Sequence, residues 1–114
     1  MLFRSRGIVR LSGEDALKLL DAVVTNSVDR LPVGGTVIMP PLVYCGLLSP
    51  QGKILHDMLA TVDADDILLD VDRSRAPDLV KRLSLYKLRA KVTIKDEGDE
   101  FAAVVAWEIG RAHV

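Results

Sequence analysis

The sequence has few of the residues that usually mark a chemical site. One of its 114 residues is cysteine, two are histidine, and aromatic residues make up 4%. A single cysteine excludes an intramolecular disulfide and a metal site built from this chain's cysteines alone. Few aromatic rings leave little for stacking on nucleic-acid bases. The cysteine content therefore predicts a reducing, cytoplasmic setting.

The sequence also lacks an excess of one sign of charge and any long apolar run. The 15 Lys and Arg residues nearly balance the 16 Asp and Glu residues, so the overall charge gives no attraction to nucleic acid. No stretch approaches the roughly 20 apolar residues of a membrane helix, and the first residues, MLFRSRGIVRLSGEDA, become polar too early for a signal peptide. The hydrophobic fraction of 49% suffices for one domain with a core. We therefore expect a soluble domain without a membrane partner.

The last seven residues, EIGRAHV, interrupt the apolar run FAAVVAW. The codons ATC GGA AGA GCA CAC GTC, which match an in-frame reading of a common sequencing adapter, would encode residues 109–114. We interpret residues 108–114 as a non-native tail, with a native basic tail as the alternative. On this interpretation residues 1–107 form the domain, and the natural protein continues beyond it.

Apolar periodicity predicts the order of helices and strands. Ser12 and Asp15 have the spacing of a capping box before a first amphipathic helix, and Ser74 with Pro77 marks the start of a second. The predicted order is β-α-(β)-β-β-β-α-β-β, with the bracketed strand a short extended piece in the loop after the first helix. Two helices that must cover one face of a mostly antiparallel sheet predict an α+β sandwich of ferredoxin-like type.

The segment LLSPQGKILHDM, residues 47–58, predicts a hairpin whose turn is SPQG. Alternation places His56 with Ile54 and Met58 on one face of the second strand, and Asp57 with the neighbouring leucines on the other. A carboxylate partly buried among leucines needs a donor or a ligand rich in N–H groups. The alternatives are a strand-edge carboxylate paired with Lys or Arg, and for His56 an ordinary solvated or hydrogen-bonded residue.

The second helix and its exit are rich in basic residues. These residues could contact phosphates or a polyanionic cofactor tail, although a charged solvated face is the commoner explanation. Cys45 lies in an apolar strand, where core packing is expected. The basic set is Arg73, Arg75, Lys81, Arg82, Lys87, Arg89 and Lys91.

Three longer segments carry a resemblance to a known family. VRLSGEDALKLLDAVVTNSVDRL, GLLSPQGKILHDMLATV and LVKRLSLYKLRAKVTIKD are similar, in order and spacing, to the N-terminal region of the YgfZ family. This family is related to the glycine-cleavage T protein, an aminomethyltransferase. The resemblance covers nearly all of residues 4–96. SPQGKILHD and YKLRAKVTI look most like the branch that includes the mitochondrial iron-sulfur assembly factor.

The resemblance implies a protein that binds tetrahydrofolate in a channel between several domains. In T proteins a Gly-Gly-apolar-apolar-Asp-Asp segment supplies a carboxylate near the folate N5 and N10 atoms. GKILHD is similar, with Asp57 matching the second acid and His56 in place of the first. The resemblance thus implies Asp57 as a folate ligand, with Thr25, Asn26 and Arg89 lining or supporting the site. The Lys-Gly-Cys-Tyr-x-Gly-Gln-Glu segment of the family is absent from this chain.

The function implied by the resemblance is folate binding in support of iron-sulfur cluster assembly or repair, and through it of tRNA modification enzymes. The expected partners are iron-sulfur assembly proteins or client enzymes and the remaining domains of the full-length chain. Aminomethyl transfer is the first alternative, against which His56 and the segment LLDVDRS count. Direct RNA binding through the second helix is another.

Overall fold

The computed structural model describes residues 6–28, 31–34 and 42–98. The alternating and amphipathic segments form five strands and two α-helices, with a short 3-10 turn before the second helix. In chain order these are β1 (Arg6–Ser12), α1 (Ala16–Val23), β2 (Val43–Leu48), β3 (Ile54–Asp63), β4 (Asp66–Asp72), the 3-10 turn (Arg73–Arg75), α2 (Ala76–Lys87) and β5 (Thr93–Glu97). The predicted extended piece between α1 and β2, the predicted strand EFAAVVAW and the tail at 108–114 lie outside the described residues.

The strands form one sheet in the order β2-β3-β4-β1-β5, and every neighbouring pair is antiparallel. Without β2, the chain order β-α-β-β-α-β and the sheet order β3-β4-β1-β5 are those of a ferredoxin-like fold. The predicted α+β sandwich is therefore confirmed, with β2 as an additional edge strand.

Both helices cover the same face of the sheet. One core cluster contains apolar side chains from α1, from α2 and from one face of every strand from β1 to β4. This is the arrangement expected when the strands alternate and each helix has a single apolar face. The helix residues at its centre are Ala16, Leu19, Leu20, Ala76, Leu79 and Leu83.

The start of α1 differs from the predicted capping box. Asp15 occupies the N-cap without a side-chain capping bond, and its Oδ2 atom instead accepts a 2.9 Å hydrogen bond from the Lys91 backbone N–H. Gly13, with φ of +118°, packs against the carbonyl of Lys91 so closely that a Cβ atom could not fit there. The capping-box prediction is wrong because Asp15 is used to hold the approach to β5, which is distant in sequence.

Candidate functional site at the β2–β3 edge

Asp57 lies on β3 and points to the face of the sheet opposite the two helices. Its side chain is exposed, and Oδ2 accepts a 3.0 Å hydrogen bond from the hydroxyl of Tyr44 on β2. This bond raises the pKa of Tyr44, because the phenol proton is held by a carboxylate. Asp57 is thus neither deeply buried nor in an ion pair with any described Lys or Arg.

The surface beside Asp57 is apolar, and a glycine lies under it. Gly46 is directly opposite Asp57 in the β2–β3 register. The register shifts between Leu47 and Leu48, so Ile54 faces Leu48, and its Cγ2 atom would lie 3.1 Å from a Cβ built on Gly46. Ile54 therefore lies beside Asp57 rather than beside His56, contrary to the predicted alternation.

We call this group of residues the Asp57 platform, comprising Tyr44, Gly46, Ile54 and Asp57. The side chains of Tyr44 and Ile54 are 59% and 65% exposed, which is unusual for large apolar residues. Gly46 itself is buried, because the side chains of Ile54 and Thr25 lie over it. A ring with an apolar face and an N–H edge could lie on the platform and donate to Asp57.

Thr25 and Asn26 lie next to the platform and hold the outer edge of β2. Thr25 exchanges two hydrogen bonds with Gly46, one from its backbone N–H and one to its Oγ1 atom, at 2.9 and 3.0 Å. The Asn26 Nδ2 atom donates to the Tyr44 carbonyl at 2.6 Å. The structure thus brings Thr25, Asn26 and Asp57 together, with Thr25 and Asn26 contacting the backbone of the platform.

Arg89 is not brought to this site. It follows α2 at the end of the helix where Lys87 donates to the Val92 carbonyl, just before β5. The opposite end of α2 is the one that contacts β3, through Arg75. Since β5 and β2 are opposite edges of the sheet, Arg89 and Asp57 lie far apart in the fold.

His56 points in the opposite direction from Asp57, into the contact between β3 and α2. Its side chain is buried, and Nε2 lies 2.7 Å from Oδ2 of Asp78. The Arg75 Nε atom donates to His56 Nδ1 at 3.4 Å. Because guanidinium can only donate, Nδ1 must accept and the proton lies on Nε2. Hydrogen bonds from Arg82 and then His56 lower the pKa of Asp78.

Much of the basic excess on α2 is used inside the fold. Arg75 donates to the Leu55 carbonyl at 2.6 Å, and Arg82 pairs with Asp78 at 2.8 Å. Lys87 donates to a backbone carbonyl, and Lys91 pairs with Glu14. These contacts leave fewer cations for a phosphate backbone than the sequence alone indicates.

Cys45 is fully buried in the core, and burial raises the pKa of its thiol to about 11. A buried neutral thiol is a poor nucleophile and metal ligand. Within residues 6–28, 31–34 and 42–98 no group of three or more His, Cys, Asp or Glu side chains is placed to hold a metal ion. None of the helices in those ranges has the length and apolar character to cross a membrane.

Sequence reasoning missed Tyr44, Gly46 and Ile54. The register of the predicted hairpin would have placed Gly46 near Asp57, and alternation along LVYCGLL would then have put Tyr44 on the same face. Ile54 could not have been placed in this way, because the shift at Leu47 and Leu48 is not visible in the sequence pattern.

The chain is similar to several curated proteins named as mitochondrial iron-sulfur cluster assembly factor IBA57 or its homologue. It is 37% identical to one from Mycosarcoma maydis over 90% of this chain and 27% of the relative. It is 34% identical to one from Mus musculus, over 79% of this chain and 27% of the relative. The predicted relation to the YgfZ family is confirmed.

Among solved structures, the YgfZ-related chain resembles the glycine cleavage system aminomethyltransferase T from Bartonella henselae. The TM-score is 0.69 at 17% sequence identity, over 82% of this chain and 25% of that one, so the likeness concerns the fold. No protein-family model matches the chain. The chain spans about a quarter of the length of the curated relatives it matches.

The relatives correct the prediction of a cytoplasmic location. Those from Mycosarcoma maydis, Pyricularia oryzae and Mus musculus are all named as mitochondrial proteins. The cytoplasmic prediction is wrong because a lone cysteine indicates only that no disulfide framework is used. It does not distinguish one non-oxidising compartment from another.

Proposed function

We propose that the chain is the folate-contacting part of a mitochondrial iron-sulfur cluster assembly factor, which also supports tRNA modification enzymes that depend on such clusters. The names of the relatives support the iron-sulfur role. Cys45 is buried in the core, so we do not assign it as a ligand of the cluster. Its partners are then the assembly proteins that supply an iron-sulfur cluster or the client enzymes that receive it.

The Asp57 platform is the observation that supports folate binding. Tetrahydrofolate has a flat pyrimidine ring whose edge carries N–H donors, and this matches an exposed carboxylate beside the ring of Tyr44. The Tyr44 hydroxyl fixes Oδ2 of Asp57, leaving Oδ1 for a donor on the ligand. Thr25 and Asn26 support the strand below, while Arg89 is too distant to contact the same ring.

The test is titration of the full-length protein with 5-formyltetrahydrofolate by calorimetry. Asp57→Asn should weaken binding by about 1.5–3 kcal/mol, the range for a hydrogen bond to a charged group. Asp65→Asn, an exposed carboxylate in the turn between β3 and β4, is the matched control and should bind like the wild type. Unchanged affinity in Asp57→Asn would remove Asp57 from the site.

A second variant tests the shape of the platform rather than its charge. Gly46→Ala should reduce folate affinity, because the new methyl would lie 3.1 Å from the Ile54 side chain and displace it from its position beside Asp57. The fold should tolerate it, since the exposed end of Ile54 can move. Equal affinity of Gly46→Ala and wild type, with both folded, would place the ligand elsewhere.

Aminomethyl transfer remains a second candidate because of one structural observation. Position 56, where the acid of the T-protein segment is replaced, points towards α2 and not towards the Asp57 platform. The replacement therefore leaves the ligand-facing surface unchanged, and counts less against transferase chemistry than the sequence indicated. Tetrahydrofolate-dependent release of ammonia from an aminomethyl carrier protein would distinguish the two functions.

A further inference from the structure

Arg6 is a cation on the same face of the sheet as Asp57. Alternation along β1 places its side chain on the face without helices, and Asp72 of β4 lies directly opposite it. The pairing of β3 with β4 joins Leu59 to Asp70, and two residues further along each strand Asp57 and Asp72 are the next on this face. Only β4 therefore separates the strands of Arg6 and Asp57, which at about 4.8 Å between neighbouring strands are about 10 Å apart.

The guanidinium of Arg6 is fixed along one edge. Its Nε atom donates to Oδ1 of Asp70 at 2.9 Å, and its Nη2 atom donates to the Asp70 carbonyl at 3.1 Å. These bonds draw the guanidinium from β1 towards β4, and thus towards Asp57. The Nη1 atom makes no hydrogen bond with any residue that the structure describes, and the side chain is 31% exposed. A planar group held in this way loses little freedom when it donates once more.

The charges beside Arg6 define what its exposed edge can bind. Asp57, Asp70 and Asp72 lie around it on the same face. Hydrogen bonds from the Ser74 side chain and backbone lower the pKa of Asp72, which therefore stays ionised at neutral pH. This part of the described sheet thus has three carboxylates and one cation. A ligand carboxylate would be repelled there, whereas a neutral carbonyl oxygen can accept from Arg6 without that repulsion.

We propose that Arg6 is a specificity-determining residue of the Asp57 site, and that its Nη1 atom donates to a neutral acceptor on the same heterocyclic ring whose N–H edge binds Asp57. This assignment rests on the proposed folate function, and it names the part of folate that lies here. A pyrimidinone ring carries N–H donors and a carbonyl acceptor, so one ring can satisfy a carboxylate and a guanidinium on neighbouring strands. The glutamate carboxylates of folate then point away from Arg6.

The test compares two ligands of the full-length protein by calorimetry. 5-Formyltetrahydrofolate carries both the ring and the glutamate, whereas 6-methyltetrahydropterin carries the ring alone and is measured by displacement of the first ligand. Arg6→Lys keeps a cation for Asp70 but lacks the planar fork. It should weaken both ligands by the same factor, about tenfold, as expected for the loss of one hydrogen bond to a charged group.

Arg82→Lys is the matched control. Arg82 also pairs with a carboxylate through Nε, at 2.8 Å from Asp78, but it lies on α2 and therefore on the other side of the sheet. This variant should bind both ligands like the wild type. Far-UV circular dichroism and urea unfolding of Arg6→Lys should show that it remains folded, because Asp70 keeps its ion pair.

Three results would overturn the proposal. Unchanged affinity for both ligands in Arg6→Lys would mean that Arg6 does not contact the ligand. A loss confined to 5-formyltetrahydrofolate would place the glutamate carboxylates at Arg6. Failure of the tetrahydropterin to displace 5-formyltetrahydrofolate would mean that the ring is not what the site binds.

The proposed folate function is judged separately from the role of Arg6. If Asp57→Asn weakens folate binding while Arg6→Lys does not, only the role of Arg6 is wrong. If the wild-type full-length protein binds no folate, both proposals are wrong.

Discussion

Residues 55, 56 and 57 connect the two faces of the sheet. The Leu55 carbonyl and the His56 ring are held by Arg75 of the 3-10 turn and Asp78 of α2, and the next side chain, Asp57, points to the other face. The imidazole has no exposure to water, so its N–H must find an acceptor within the protein. Asp78 is the acceptor that this buried N–H finds.

We expect Asp78→Ala to reduce the free energy of unfolding by about 1–3 kcal/mol, the cost of leaving a buried N–H without a partner. Asp78→Asn keeps an acceptor for His56 and should cost less than half as much. Arg82→Ala removes only the half-exposed partner of Asp78 and should cost about 0–1 kcal/mol. Urea unfolding of the three variants measures these differences. Equal losses in Asp78→Ala and Asp78→Asn would contradict the assigned tautomer.

At the scale of helices and strands, local patterns predicted most of the fold. The apolar spacing in α1 and α2 and the SPQG turn are all present, with Gly52 donating to Ser49 across the turn at 2.9 Å. The errors concern contacts between different elements of the fold, and not the periodicity within one element. The Asp15 carboxylate bonds to Lys91 and not to its own helix, and the register shift that moves Ile54 arises from pairing with β2. Such contacts leave no signal in local periodicity.

The candidate site was predictable to a similar extent. The resemblance directed attention to Asp57, Thr25 and Asn26, which lie near one another in the fold, and their role in ligand binding stays a prediction. It also suggested Arg89, which the sheet order places at the other edge. Tyr44 was missed because its role depends on the pairing of β2 with β3, and not on its own sequence neighbours.

The end of α2 allows a test of backbone strain in the 114-residue chain itself. Leu88→Gly should raise the free energy of unfolding by about 1 kcal/mol, because glycine adopts positive φ without a steric cost and the exposed leucine contributes little packing. Leu85→Ala, at another exposed position but inside the helix, should stay within about 0.5 kcal/mol of the wild type. Thermal and urea unfolding provide the measurement. A destabilised Leu88→Gly would show that Leu88 is packed.

For the molecule as a whole, Arg10 links its own strand to three other strands on the face of the sheet without helices. Arg10 of β1 contacts Asp63 of β3 at 3.0 Å, Asp66 of β4 at 2.7 Å and Glu97 of β5 at 2.6 Å. Its own side chain is 18% exposed, so these contacts are only partly screened by water. Burial alone would lower the pKa of Arg10, but the hydrogen bonds to three carboxylates together outweigh it and raise this pKa, so Arg10 stays charged at every pH at which the protein is folded.

Arg10→Met should therefore reduce the free energy of unfolding at pH 7 by about 1–3 kcal/mol, because it leaves three carboxylates close together without their cation.

In the wild type, stability should fall as the pH drops through and below about 4. The reason is that the pKa values of Asp72 and Asp78 are lowered in the folded state, so their contribution is present above the unfolded pKa and lost in acid. In Arg10→Met, the three carboxylates repel one another at pH 7 without their cation, and acid relieves this repulsion in the folded state. The difference between the two proteins should consequently shrink from pH 7 to pH 4 in urea unfolding. A difference that stays constant over this range would mean that Arg10 acts by packing and not by charge.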